Sequence, residues 1–278
     1  MSTDALFTGK IAMVTGGASG IGRALGTALA RRGATVVLAD LDDVAAKSTA
    51  QEIGADAVAG AGLDVRDSEA FAELVANVVD EHGRIDLLFN NAGIGMGGEV
   101  AELTLAHWDR VIDVNLRGVV HGVAAAYPVM IRQRSGHIVN TASLAGLIPS
   151  PMLTPYAATK HAVVGLSTSL RGEAARHGVR VSVVCPGIIA TPIWDKGNPE
   201  DLPDAPSLGA ELDAVKATLL RRAYPPASLA EDVLRGVARN RPLIVAPSHA
   251  RIAWGIHRLV PRLLADGGST MARRLLGG

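Results

Sequence analysis

The sequence predicts a single α/β domain, a doubly wound, seven-stranded parallel sheet with helices on both faces, followed by a helical C-terminal extension. Three observations predict it. Short β-branched runs alternate with longer segments of helical period, the pattern of βαβ units. Several of those runs are almost continuously apolar, as strands buried on both faces should be. The first run is joined to the first helical segment by a glycine-rich turn, Thr15-Gly16-Gly17-Ala18-Ser19-Gly20-Ile21-Gly22.

Strands are predicted over Ile11–Thr15, Thr35–Ala39, Ala57–Leu63, Ile85–Asn90, His137–Thr141, Arg180–Val184 and Leu243–Ala246. Helices fill the gaps over Ile21–Arg32, Val44–Ile53, Ser68–Glu81, Leu105–Arg134, Pro155–His177 and Leu229–Arg239. This alternation over residues 1–247 reads as one Rossmann-type domain, whose ligands bind at the carboxyl ends of the strands. Residues 193–224 break the rhythm with Pro, Asp and Gly, as in Asn198-Pro199-Glu200-Asp201-Leu202-Pro203-Asp204-Ala205-Pro206. Placed after the sixth strand, on the ligand side, this stretch is expected to be a lid or substrate loop, the alternative being a solvated insertion. Its apolar members are Ile193, Trp194, Leu208, Leu212, Leu219 and Leu220.

The extension, 248–278, repeats Ile252, Ile256, Leu259, Val260, Leu263 and Leu264 at helical spacing among Arg251, Arg258 and Arg262. From Arg241 onward there are six arginines and one acid. Such a basic amphipathic helix packs on its own domain or a neighbouring subunit, or makes a peripheral contact with a membrane surface.

Composition bounds the function. Lysines and arginines balance acids at 27 each, so the basic footprint of a nucleic-acid protein is missing. With 48% hydrophobic and 19% charged residues, disorder is excluded as a general state. Mean hydropathy is positive, yet no continuous run of about 18 apolar residues marks a spanning helix. The polar start, Met1 to Lys10, lacks the features of a signal peptide. Cys185 is the single cysteine, which precludes an intrachain disulfide or a cysteine metal cluster and fits a reducing, cytoplasmic setting. The eight histidines show no metal-ligand spacing, and no metal is expected.

The glycine-rich turn permits close approach of backbone to a pyrophosphate seated on the helix N-terminus. Asp40 closes the second strand, where a carboxylate accepts hydrogen bonds from the adenosine ribose hydroxyls. It would also repel a 2′-phosphate, by roughly 4 kcal/mol at about 4 Å and an effective dielectric of about 20. With no basic residue at Leu41, Asp42 or Asp43, and Ser19 in the turn, NAD is favoured over NADP. Arg23, one turn into the helix, is the group that could still receive a phosphate. Asp40 as a plain helix N-cap is the competing reading.

Tyr156 and Lys160, four apart, share a helix face. An ammonium about 4–5 Å away would lower a phenol pKa near 10 by about two to three units, making the tyrosine a general acid/base. A Tyr-x-x-x-Lys pair alone is commonplace; its company here is not. Ser143 follows the fifth strand, Asn90-Asn91-Ala92-Gly93 ends the fourth, Asn115 interrupts a helical segment, and Pro186-Gly187-Ile188-Ile189-Ala190-Thr191 ends the sixth.

On these residues, with Asp64-Val65, the chain resembles the short-chain dehydrogenase/reductase family, ordinary single-domain subgroup, over residues 8 to 247. The resemblance implies Tyr156 as general acid/base and Ser143 as the group orienting the reacting oxygen. Lys160 would tune the tyrosine and bind the nicotinamide ribose, and Asn115 would hold a water in a proton relay from Lys160. It further implies a cofactor site on Gly16, Ser19, Gly20, Ile21, Gly22 and Asp40, with Asp64 and Val65 at the adenine. Asn91, Ala92 and Gly93 would support the adenosine side, and Pro186, Gly187, Ile189 and Thr191 the nicotinamide side. The expected protein is an NAD-dependent dehydrogenase acting on a secondary alcohol or its ketone, with an apolar substrate. It is expected to form a homo-oligomer, tetramer or dimer. The alternatives are an NADP-dependent carbonyl or 3-oxoacyl reductase and, more distantly, a non-catalytic dinucleotide sensor.

Overall fold

The computed structural model describes residues 4–54, 58–194, 198–199, 201–203, 205–207, 223–262 and 266–267. Seven strands, β1 (Ile11–Thr15), β2 (Thr35–Asp40), β3 (Val58–Gly62), β4 (Leu87–Asn90), β5 (Gly136–Thr141), β6 (Val179–Pro186) and β7 (Leu243–Ala246), form one sheet in the order β3-β2-β1-β4-β5-β6-β7. Every neighbouring pair is parallel. The order reverses between β1 and β4, so the crevice at their carboxyl ends is the expected ligand position.

The helices are α1 (Gly20–Ala30), α2 (Asp43–Gly54), α3 (Ser68–His82), α4 (Leu105–Ile112), α5 (Gly118–Gln133), α6 (Thr154–Ala174), α7 (Pro226–Ala238) and α8 (Ser248–Leu259). Strand side chains alternate between faces. Val14, Leu38 and Phe89 pack with Leu25 and Leu29 of α1 and Val233 and Val237 of α7. Met13, Val37 and Leu88 pack with Phe71 and Val75 of α3 and Met130 of α5. At the amino edge of the sheet, Asp86 ties β1 to the start of β4. Burial pushes its carboxyl up, but the Ile11 amide, Arg84 and Lys10 together hold it below the usual carboxylate range.

Two predicted elements change. The segment expected as one helix over Leu105–Arg134 is interrupted by a π-helical turn, Asp113–Arg117, between α4 and α5, and Asn115 sits inside it. Segment Leu105–Gln133 is long and apolar enough by composition to span a membrane, yet Val111, Val119, Ala126 and Met130 are buried in the domain. In α8 the aliphatic stripe does not pack inward. Ala250 is buried and Trp254 half-buried against the α6 side of the sheet, whereas Ile252, Ile256, Leu259 and Val260 point away. Leu263 and Leu264 lie outside the described residues, as do Leu208, Leu212, Leu219 and Leu220 of the expected lid.

Candidate active site

The glycine-rich turn leaves β1 and enters α1 in the least space a chain can occupy. A β-carbon on Gly22 would lie 1.9 Å from the Gly16 carbonyl oxygen, and one on Gly16 (φ +65°) 2.9 Å from Ala92 Cα. Thr15 locks the turn to the loop after β4. Its hydroxyl accepts from the Asn91 and Ala92 amides, each at 3.0 Å, and donates to the Phe89 carbonyl at 3.4 Å. The Asn91 side-chain amide donates to the Thr15 carbonyl at 3.1 Å. Thr15 was missed as a site residue; its place as the hydroxyl opening the glycine motif was the available signal.

Ser19 is the N-cap of α1 and makes no side-chain cap bond, and the first turn holds no acid. The donors of that turn therefore suit an anion. Gly20 and Ile21 begin the helix, and a β-carbon on Gly20 would meet Thr191 Cγ2 at 3.1 Å, which places the end of the β6 loop over the turn. Asp40 is not a helix cap, since Asp42 Oδ1 accepts from Ala45 N at 2.9 Å and serves α2. Asp40 Oδ2 instead accepts from Ala18 N at 3.0 Å, fixing its carboxylate beside the glycine turn. Arg23 is paired with Glu52 at 2.6 Å.

At the end of β3, Asp64 is clasped by Arg66 through Nε at 3.0 Å and Nη2 at 2.6 Å, which holds its carboxyl below the usual range. Arg66 was not anticipated. Val65 is buried, and its carbonyl meets His121 Nδ1 at 2.9 Å. At the end of β6, beyond Pro186, the Gly187 amide donates to the Ala246 carbonyl at 2.8 Å. Buried Ile189 forms a bridge with Tyr224. These loops frame one side of the crevice.

The reacting groups lie in the turn after β5 and on α6. Ser143 caps a 3-10 turn, Leu144–Gly146, accepting from Ala145 N at 3.1 Å, and its hydroxyl stands beside the Tyr156 phenol, whose pKa it acts to lower. Pro155 at the start of α6 pre-sets the helix so that Tyr156 and Lys160 follow one turn apart. Lys160 is buried, donates to the Thr141 carbonyl at 3.0 Å, and stands 5.6 Å from the centroid of the half-buried Tyr156 ring. A β-carbon on Gly93 would lie 3.4 Å from Lys160 Nζ and 3.1 Å from Asn115 Oδ1, so these two groups flank Gly93.

One expectation needs correcting. Burial pushes the Tyr156 phenol above its ordinary value, and the Ser143 hydroxyl offsets this only in part. Lys160 does not reverse the shift here: its ammonium is tied to Thr141 and stands over the ring face, and burial lowers its own pKa to about 8. Cys185 borders the same group, a neutral thiol pushed up to about 12 by burial. Asn115, expected to hold a relay water, spends its side chain on the loop after β4. Its Oδ1 accepts from Ile94 N at 2.8 Å and its Nδ2 donates to the Ile94 carbonyl at 2.9 Å.

Across the crevice, the described parts of 198–207 are strapped to the segment after β4. Asn198 brackets Gly97, accepting from its amide at 2.8 Å and donating to its carbonyl at 2.9 Å. His107 Nε2 meets the Pro203 carbonyl at 2.9 Å, Arg110 pairs with Asp201 at 2.6 Å, and Ser207 Oγ accepts from Glu99 N at 2.8 Å.

A family profile described as short chain dehydrogenase matches residues 10–202. The probable oxidoreductase EphD of Mycobacterium tuberculosis is 35% identical over 262 residues, covering 93% of this chain and 44% of that protein. The chain thus spans less than half the length of that relative. The 3-oxoacyl-[acyl-carrier-protein] reductase FabG of Thermotoga maritima is 40% identical over 192 residues, 68% of this chain and 77% of that protein. Among solved structures, a short chain dehydrogenase/reductase from Burkholderia phymatum in complex with NAD superposes with a TM-score of 0.83 at 33% identity. That match covers 92% of this chain and 95% of that one. In motif, sheet order and similarity alike, the chain belongs to the short-chain dehydrogenase/reductase family.

Proposed function

We propose that the chain is an NAD(H)-dependent oxidoreductase that interconverts a secondary alcohol and its ketone on an apolar substrate. The observation that carries this reading is the convergence of Ser143, Tyr156 and Lys160 beside Gly93, at the carboxyl edge where the uncapped N-terminus of α1 also opens.

The residues fit a dinucleotide. The turn from Gly16 through Ser19, Gly20, Ile21 and Gly22 would hold the pyrophosphate, and Asp40 the adenosine ribose. Asp64 and Val65 would hold the adenine, and Asn91, Ala92 and Gly93 would back the adenosine side. Tyr156 and Lys160 would take the nicotinamide ribose, with Pro186, Gly187, Ile189 and Thr191 at the carboxamide. When bound, the nicotinamide supplies the hydride acceptor or donor.

The chain's own groups handle the proton. In reduction the Tyr156 hydroxyl donates its proton to the substrate oxygen, and Ser143 holds that oxygen in place. Lys160 stabilises the phenolate as it forms. With a pKa lowered to about 8, it also gives up and regains a proton near neutral pH. Because burial raises the Tyr156 pKa, the proton donor for ketone reduction is loaded at neutral pH, and alcohol oxidation gains as pH rises. Asn115 acts through Ile94, as a positioning residue. The strap over 198–207 is read as the wall of the substrate side.

The preference for NAD over NADP rests on Asp40 beside the turn and on Arg23 held by Glu52. NADH and NADPH titrations followed by fluorescence test it. NADH should bind tighter by about tenfold or more, and Asp40→Ala should narrow the gap. Tighter NADPH binding by the unaltered protein overturns the assignment. It would favour the second reading, an NADP-dependent carbonyl or 3-oxoacyl reductase, which the similarity to FabG supports.

A further inference from the structure

The outer edge of the sheet, beyond β7, carries two features that the oxidoreductase chemistry does not use, and they meet at Arg251. The first is the crest of α8. With 3.6 residues per turn, Ala250 and Trp254 face the domain. Ile252, Ile256 and Leu259 then fall on the opposite side, at 62%, 39% and 84% exposure. A surface helix ordinarily turns its large aliphatics inward; this one packs through an alanine and half a tryptophan and shows its aliphatics outward. Arg251 and Arg258 stand on the shoulder between the two faces, Arg258 over the Trp254 ring at 5.2 Å.

The second feature is a small cleft of ≈ 70 Å³ where α7, β7 and α8 meet, lined by Arg235, Arg239, Arg241 and Arg251 with Asp232. Asp232 pairs with Arg235. Among the described residues no ion pair engages Arg239 or Arg241, and the Arg251 side chain donates to the Val245 carbonyl at 3.3 Å. With Asp232 already paired to Arg235, the arginines lining the cleft leave it net positive, which suits an anion. At roughly 10–15 Å³ per water, the cleft has room for about five waters, the scale of one phosphate group.

We propose that this edge docks on an anionic lipid surface, with Ile252, Ile256 and Leu259 entering the acyl boundary and the arginines meeting headgroup phosphates. An apolar crest shouldered by arginines is what an interfacial helix needs. A second copy of the chain is a poorer occupant. It would set two arginine-rich faces against each other, and three aliphatics supply far less than the roughly 800 Å² per partner of a stable interface. The placement also serves an apolar substrate, because α8 starts at the carboxyl edge of the sheet. A β-carbon on Gly187 would lie 2.8 Å from His249 Nε2, so the helix borders the crevice. The docking surface itself stands independently of the cofactor assignment.

Co-sedimentation of the full chain with phosphatidylcholine vesicles, with and without phosphatidylglycerol, tests the proposal. The protein should pellet with the phosphatidylglycerol vesicles alone and be released by salt. Each arginine near such a surface changes partitioning about fivefold, so Arg239→Ala/Arg241→Ala should weaken binding about 30-fold. Ile252→Asp/Leu259→Asp should weaken it at least as much. Melting followed by circular dichroism should be unchanged in both variants, whose side chains are exposed. Failure of the unaltered protein to bind, equal binding to pure phosphatidylcholine, or binding that survives both pairs of substitutions overturns the proposal. So does a fall in oligomeric mass with Ile252→Asp/Leu259→Asp when no vesicle binding is seen, which would make the crest a contact between copies.

Discussion

Strand β5 carries polar side chains of two kinds, and their surroundings separate structure from chemistry. Within the sheet, His137 donates from Nε2 to Ser182 Oγ at 2.8 Å, and Ser182 donates to the Arg241 carbonyl at 2.6 Å. Asn140 accepts from Asn90 Nδ2 at 2.9 Å and donates to Ser167 at 3.0 Å, which donates to the Val163 carbonyl at 2.6 Å. These chains of bonds run from side chain to backbone and stop inside the protein. At the carboxyl end of the same strand, Lys160 uses one of its three donors on the Thr141 carbonyl, and Ser143 stands beside the Tyr156 phenol at the rim of the crevice. Polarity alone does not mark a site. Unused hydrogen-bonding capacity at an accessible edge does.

The comparison can be broken at three points, in descending order of effect. His137, buried on β5, has its pKa pushed down from 6.5 to about 3 by burial, with Arg180 and Arg171 adding to the shift. The unfolded chain takes up a proton that the folded chain refuses. Stability should therefore fall as pH drops from about 6.5 toward 3, by up to about 5 kcal/mol. Urea midpoints across the acid range should show that slope, and His137→Asn should flatten it with neutral-pH turnover retained by the folded fraction. An unchanged slope would mean that His137 is not the proton-refusing group.

Tyr156→Phe should do the opposite: turnover falls about 10²-fold or more while the urea midpoint barely moves. Turnover within a few-fold of the original would remove Tyr156 from the proton path. The smallest effect is expected at the strap. Asn198→Ala removes both bonds to Gly97, worth on the order of 1 kcal/mol each. With any alcohol that turns over, KM should rise several-fold at nearly constant kcat. A collapse of kcat at constant KM would make Asn198 part of the reacting centre instead of the wall.

Much of this was legible before any coordinates. Strand alternation, the glycine turn and the spacing from Ser143 to Tyr156 to Lys160 are local patterns, and each appears where the pattern put it. The break at Asn115 was legible as a poor helix former in a helical segment, but not its form, because the π turn is stabilised by the pairing of Asn115 with Ile94, twenty-one residues away in sequence. Arg66 on Asp64 and Glu52 on Arg23 escaped for a similar reason. Surface ion pairs follow from which helix ends and loops meet in space, and charge order along the chain does not report it.

The C-terminal helix shows the same limit. Periodicity predicted an amphipathic helix over 248–278, of which α8 covers Ser248–Leu259, yet it cannot say which face turns inward when Ala250 and Trp254 compete with Ile252, Ile256 and Leu259 for the same contact. The sequence by itself determined the class of the fold, the order of its elements and the reaction chemistry it can hold, because hydrophobic period, glycine backbone freedom and motif spacing act over short range. Only the tertiary structure decided the protonation bias of Tyr156 and Lys160, the partners of Asp40 and Asn115, and the outward crest of α8. Burial and electrostatic surroundings are set by side chains from distant segments, and a pKa or an exposed face comes into existence only when those segments pack.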